Sequence, residues 1–376
     1  MSARLAHGVE LTRGMDIASY LQRQKEELGQ QTRLVKDFSV FDFSYIPEQP
    51  VIREECKELI DEMLRFDLSG IGSHMAVIGS RGSGKTLMLK HLQRAVPQQT
   101  GLGFVYANCR HHNTSFKILA HLLGEPPRGA SLPEYYEQFL ARCQKKTVVV
   151  LDEVDLMSSK DRNREILYLL SRSEHPFMVI MLSNSPHVLK QLDAATRSSL
   201  QPLPLHFKNY NAEQIQEILR NRAKLGMREW DEGTLAQIAA LTTRLTNADA
   251  RVAIKTLKYT ATRPGEDVAA CFERARRDIV VDMVNDLSDA NLTILWAAAT
   301  SKADLAKEIY KRYCRFSQAQ QEKPFSYVYF YSNLSYLQSV GLVALVSTKV
   351  GRTYTNRVLL TFDTSIVEQL AGLRFA

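Results

Sequence analysis

Cysteine is scarce in this 376-residue chain, with five residues (Cys56, Cys109, Cys143, Cys271, Cys314) that are odd in number, scattered and never closely paired. That excludes a disulfide framework and gives no zinc-site spacing. Long apolar stretches are lacking too: runs such as Val148 to Leu151 fall far short of the roughly 18 residues a membrane helix needs. The N-terminus has no apolar signal core, so an intracellular, cytoplasmic and nucleoid-associated protein is expected, with no membrane partner. Internal repeats and low-complexity tracts are missing. The excess of one charge sign is small, 48 Lys+Arg against 41 Asp+Glu. What the chain does have is 45% hydrophobic residues and length enough for two or three domains.

Charge is unevenly spread. From Ser288 onward there are ten Lys/Arg against six Asp/Glu, so this quarter holds +4 of the net +7. A phosphate backbone is best sought there. Between Ser326 and Thr348, however, no charged residue occurs.

The order of elements suggests an architecture. Residues 1–45 read as a partly ordered polar arm. Strand-like runs at Met75 to Ile78, Phe104 to Ala107, Thr147 to Leu151 and Phe177 to Leu182 alternate with helices from Lys85 and around 115–123, 133–144 and 161–172. Such alternation means an α/β fold with a parallel, helix-covered sheet, here spanning 46–208. Helices at Ala212 to Leu225, Asp231 to Leu241 and Ala248 to Thr262 make a small helical domain, 209–264. A charged helix, Gly265 to Asp286, links it to 288–376. There, three helices (about 289–300, 303–317, 326–340) precede strands Val343 to Ser347 and Arg357 to Thr361, the order of a winged helix. Phe330, Leu334, Leu337 and Gly341 should pack inward, with Tyr329, Ser332, Ser335 and Tyr336 facing out.

Gly79-Ser80-Arg81-Gly82-Ser83-Gly84-Lys85-Thr86 fits the phosphate-loop pattern without a mismatch, between a strand and a helix. Glycines let backbone N–H groups curl around phosphates, and the helix N-terminus from Lys85 through Leu87 adds partial positive charge. Lys85 would reach the outer phosphates of ATP or ADP, and the Thr86 hydroxyl would bind Mg²⁺. Asp152 and Glu153 end an apolar strand, where α/β sheets place ligands. Asp152 would hold Mg²⁺ through water and Glu153 would polarise the attacking water, which favours a hydrolase over a pure binder. The bland alternative is a helix-capping acidic pair. Asn184 closes the next strand and could orient that water, or be a turn residue.

This order of motifs resembles the AAA+ ATPases. Val105-Tyr106-Ala107-Asn108-Cys109-Arg110, Leu151-Asp152-Glu153-Val154-Asp155, Phe207 to Gln214, Ile218 to Ala223 and Asp249-Ala250-Arg251 are similar to the archaeal origin-recognition and initiator family. The resemblance runs from about residue 40 to the end. It implies an AAA+ core, a helical lid and a C-terminal winged helix. Tyr210 and Arg222 match nucleotide-contacting lid residues, and Arg251 the arginine that senses the γ-phosphate. Arg197 is a candidate finger for a neighbouring subunit's ATP, although Ala194-Ala195-Thr196 departs from the family string.

The resemblance further implies an ATP-dependent replication initiator that binds double-stranded origin DNA and helps recruit or load the replicative helicase, with other initiator subunits as further partners. Lys311, Arg312, Tyr329, Lys349, Arg352 and Arg357 are the winged-helix contact candidates, and Arg128 lies in the family's second contact region. Two alternatives stay open: a regulatory or transposition-associated AAA+ protein whose winged helix contacts protein, and a processive ring motor.

Overall fold

Five strands, Met75–Gly79 (β1), Gly103–Asn108 (β2), Thr147–Asp152 (β3), Phe177–Ser183 (β4) and Leu203–Phe207 (β5), form one parallel sheet in the order β2-β3-β4-β1-β5. The computed structural model describes residues 16–124, 131–158, 161, 164–185, 188–350 and 353–375. The central strands β3 and β4 are buried along their whole length, as their unbroken Val/Ile/Leu/Met runs require. Alternation still sorts their side chains. Val149 and Leu151 face a core with Ile118, Leu119, Tyr135 and Phe139. Val148 and Val150 face the opposite core with Leu59, Met63, Phe66 and Leu89. Each fully buried side chain of this size contributes about 1.5–3 kcal/mol over its exposed state.

The fifth strand is absent from the sequence-based reading. β5 is short, carries Pro204 and is half exposed, because it pairs only with β1 at the sheet edge, the one place a strand tolerates proline. The helix expected around 161–172 is shorter, Glu165–Ser171.

Two compact units divide the chain: the described residues up to Pro47 with Asn211–Arg277, and Glu48–Tyr210 with Asp278–Ala376. In the first, helices Ala212–Gly226, Glu232–Leu245 and Ala250–Thr262 are each N-capped, by Asn211, Asp231 and Asp249. Of the partly ordered arm expected over 1–45, the described residues form the helix Ile17–Gln31 and a segment laid on the helices of this unit, with Val40 and Phe41 buried. Lys36 and Asp37 donate backbone N–H groups to Gly226 O at 2.7 and 3.2 Å. Gly226 permits this closeness, since a Cβ there would lie 2.2 Å from Val40 Cγ2 and 3.0 Å from Asp37 O. Gly226→Ala should therefore destabilise the protein by about 1–3 kcal/mol. Chemical denaturation reads it, and an unchanged midpoint would remove this packing argument.

The helix Val268–Asn285 runs into the winged helix, where helices Asp289–Thr300, Ala306–Ala319 and Tyr327–Ser339 precede an antiparallel hairpin, Val343–Val350 (β6) and Thr353–Leu360 (β7). Phe330, Leu334 and Leu337 are fully buried in its core. Gly341 does not pack inward: it is exposed at φ +82°, where it ends the helix in the left-handed conformation glycine favours. Tyr336 does not face out but is half-buried. A further helix, Ser365–Arg374, closes the domain. Among the described residues, no helix is long and apolar enough to cross a membrane.

Candidate functional site

β1 ends at Gly79 and the helix Lys85–Gln99 begins six residues later, so the intervening loop lies at the C-terminal end of the sheet. Gly84 holds φ +87°, and a Cβ on it would fall 2.1 Å from the Tyr210 hydroxyl oxygen. Glycine is thus required twice there, by conformation and by space. Ser83 is buried, its hydroxyl donating to Ser80 O at 2.8 Å, while Gly82 and Leu87 are half-buried on either side.

Lys85 is buried and its ammonium donates to Gly79 O at 2.7 Å, Ser80 O at 2.9 Å and Asn184 Oδ1 at 3.0 Å. The end of β4 is thereby joined to the phosphate loop. Beside it, Thr86 donates its hydroxyl to Asp152 Oδ2 at 2.8 Å, and the Tyr106 hydroxyl donates to the same oxygen at 2.7 Å. Burial pushes the Asp152 carboxyl up, against the pull of these two hydroxyls. A hydroxyl next to a buried carboxylate is a hard oxygen pair that suits Mg²⁺, which would relieve the buried charge.

Glu153 sits in the left-handed region at φ 53°. Burial, the largest single influence, pushes its carboxyl up, but the Arg110 guanidinium together with Arg81 and the Asn108 side chain outweighs that and holds it below the usual carboxylate range. Arg110 Nε donates to Glu153 Oε2 at 3.0 Å and Nη2 donates to Oε1 at 3.3 Å.

Four contributors escape sequence reasoning. Arg53 is buried, donates Nη1 to Lys208 O and Nη2 to Ser83 O, both at 2.7 Å, and lies over the rings of Tyr210 and Phe207. Asp155 accepts from the Ser183 hydroxyl at 2.7 Å and from Asn184 N at 3.3 Å, fixing the turn that presents Asn184. Tyr106, Arg110 and Asp155 belong to strings notable in sequence only as a family likeness. No local spacing marks any of the four.

The structure brings together Gly79, Gly82, Ser83, Gly84, Lys85, Thr86, Leu87, Asp152, Glu153, Asn184 and Tyr210. Arg222 and Arg251 belong to the other unit. There Arg222 is buried, donates to the carbonyls of Val40, Asp42 and Tyr45, and stacks on the Tyr45 ring. Arg251 forms a bidentate pair with Asp249, at 3.0 and 2.5 Å. Arg197 is exposed on the helix Ala194–Leu200.

On the winged helix, Lys349 and Tyr329 are exposed. Lys311 pairs with Glu308 at 2.9 Å, and Arg312 donates to Thr300 Oγ1 at 2.8 Å while lying over Phe316. Arg357 is committed to Asp304, with Nε donating at 2.6 Å. Arg128 and Arg352 lie outside the described residues.

Residues 72–192 match the family model described as AAA domain. An ORC1-type DNA replication protein 1 of Sulfolobus acidocaldarius is 31% identical over 268 residues, 65% of this chain and 66% of that protein. Its counterpart in Methanothermobacter thermautotrophicus is 25% identical over 380 residues, 91% of this chain and 97% of that protein. Among solved structures, the Aeropyrum pernix ORC1 protein in complex with DNA superposes with a TM-score of 0.68 at 24% identity, covering 91% of this chain and 97% of that one. Cdc6p from Pyrobaculum aerophilum gives 0.55 at 21%, covering 91% and 100%.

Proposed function

The chain belongs to the ORC1-type DNA replication proteins, a family of AAA+ ATPases, and from that premise we propose that it is a replication initiator that binds double-stranded origin DNA with ATP as its switch and helps recruit or load the replicative helicase. The observation carrying this reading is the convergence of Lys85, Thr86, Asp152 and Asn184 at the strand ends of a chain that also bears a winged helix.

Each group has a task. The loop N–H groups and the Lys85 ammonium take the phosphates. Thr86 and Asp152 hold the cation, and Mg²⁺ when bound neutralises charge developing on the transferred phosphoryl group. Glu153 orients and polarises water, and Asn184 presents its amide between that carboxylate and the phosphate. Arg222 and Arg251, in the lid, respond to the γ-phosphate once freed from their present partners, and Arg197 serves a neighbouring subunit's nucleotide. Switching on nucleotide state favours slow turnover.

DNA is gripped by the basic hairpin, since the recognition helix carries no charge. Changing Lys349, Arg352 and Arg357 together to Ala should weaken binding to every duplex and lower the slope of log affinity against log salt by about two to three. Arg357 must first give up Asp304 to contribute. Footprinting of DNA upstream of the gene, with ATP and with ADP, tests the whole proposal. ATP-dependent protection of specific repeats supports it, and none in either state overturns it.

One observation favours a protein-contacting winged helix instead. Tyr327, Val328 and Tyr329 expose apolar surface at the start of the recognition helix, while Lys311 and Arg357 are held in ion pairs. Unchanged affinity and slope in the triple variant would favour that role.

A further inference from the structure

Arg53 occupies the N-cap position of the helix Glu54–Ser69, yet its side chain caps nothing there, since a guanidinium has only donors to offer. It turns instead toward the strand ends. Buried, it donates Nη2 to Ser83 O and Nη1 to Lys208 O, both at 2.7 Å, with its Cζ 4.3 Å from the centre of the Tyr210 ring and 5.1 Å from that of Phe207. Among the described residues no carboxylate pairs with it. A desolvated cation is thus kept on two carbonyls and two rings, an arrangement that stability alone does not favour.

Ser83 O and the Gly84 N–H are the two ends of one planar trans peptide and point in opposite directions, so whatever holds the carbonyl also sets where the N–H is aimed. Lys208 lies between β5 and Tyr210. The chain passes from one compact unit to the other at Tyr210–Asn211, and also at Pro47–Glu48, shortly before Arg53. Two further bonds hold the same stretch: the Ser80 hydroxyl donates to Asn209 Oδ1, and Lys208 N donates to Glu55 Oε1 at 3.1 Å.

Resting on the reading of this loop as the ATP site, we infer that Arg53 is a positioning residue that aims the Gly84 N–H at phosphate and couples occupancy of the loop to the connection at Tyr210–Asn211. A phosphate that draws on the Gly84 N–H pulls the Ser83 peptide against Arg53, and the planar fork passes that pull to Lys208 O. Nucleotide then stiffens residues 207–211 along with the loop.

Calorimetric binding of ATP and ADP to the full chain, with backbone hydrogen exchange followed with and without nucleotide, tests this. In the parent, saturating ATP or ADP should slow exchange over 207–211 several-fold. Arg53→Ala should bind both nucleotides about ten-fold more weakly, because one phosphate donor is no longer aimed. With nucleotide raised until the variant is again saturated, the phosphate loop should be protected and 207–211 should not. Arg53→Lys keeps a cation beside the rings but cannot bridge two carbonyls, so it should recover part of the affinity and none of the nucleotide-dependent protection of 207–211. It carries the same test if the Ala variant does not fold. A residue that only supported the fold would not separate affinity from protection in this way.

Protection of 207–211 equal to the parent's in either variant at matched occupancy overturns the inference, as does its absence from the parent. Affinity of Arg53→Ala for ATP within about two-fold of the parent's overturns it as well. If instead the parent binds neither ATP nor ADP, it is the reading of the loop as a nucleotide site that has failed.

Discussion

Glu153→Gln is expected to lower ATP hydrolysis by two to four orders of magnitude while ATP affinity stays within a few-fold. The change is isosteric and keeps a group at the end of β3, but an amide cannot polarise water as a carboxylate does, and a positioned general base is worth about 10²–10⁴ in rate. It also removes one partner of a sheltered ion pair, so Arg110 loses its stronger anchor. A modest fall in stability should accompany the kinetic loss, larger than the usual 0–1 kcal/mol of a surface pair only to the extent that Arg110 stays out of water. Single-turnover hydrolysis and calorimetric ATP binding on the same sample separate the two effects. Hydrolysis within ten-fold of the parent would remove Glu153 from the chemistry.

Lys85→Ala should nearly abolish nucleotide binding. The ammonium is already desolvated and aimed by Gly79 O, Ser80 O and Asn184 Oδ1. Nucleotide therefore meets a preorganised cation. Charge-assisted hydrogen bonds contribute about 1.5–3 kcal/mol each, so losing two from the phosphates weakens binding a hundred-fold or more. The variant also takes the Lys85 donor from Gly79 O and the Asn184 amide oxygen, while Ser80 O keeps the Ser83 hydroxyl, and the loop should loosen. Calorimetry with ATP and with ADP checks this: similar losses for both place Lys85 on phosphates common to the two, and undiminished binding would sink the assignment.

Much of the site is legible in the sequence because its parts are local. The phosphate loop is eight consecutive residues between strand and helix, and Asp152 and Glu153 end a short, β-branched apolar run that reads as a buried strand. Arg53 is different: its partners are Ser83 and Lys208, the latter 155 residues away, and only the placement of β5 beside β1 brings them together. Arg110 meets Glu153 for a similar reason, because β2 lies beside β3 and Asn108 aligns with Asp152.

The winged helix shows the opposite error. Helical periodicity puts Phe330, Leu334 and Leu337 inside and carries Gly341 with them, although a glycine at that spacing is what terminates the helix. Periodicity sends Tyr336 to solvent because it counts one buried face, and the half-burial of Tyr336 lies outside that count.

Pro204 gives the edge of the sheet a further property. Leu203 turns its N–H inward to His74 O at 2.8 Å, so in a parallel strand Leu205 and Phe207 face β1 as well, and only Pro204 and His206 point away from the sheet. Proline has no N–H, which leaves that open edge with one backbone donor along its length. A strand from another chain cannot zip onto it. The β5 edge of the sheet thus separates copies of this chain rather than joining them through a shared backbone ladder.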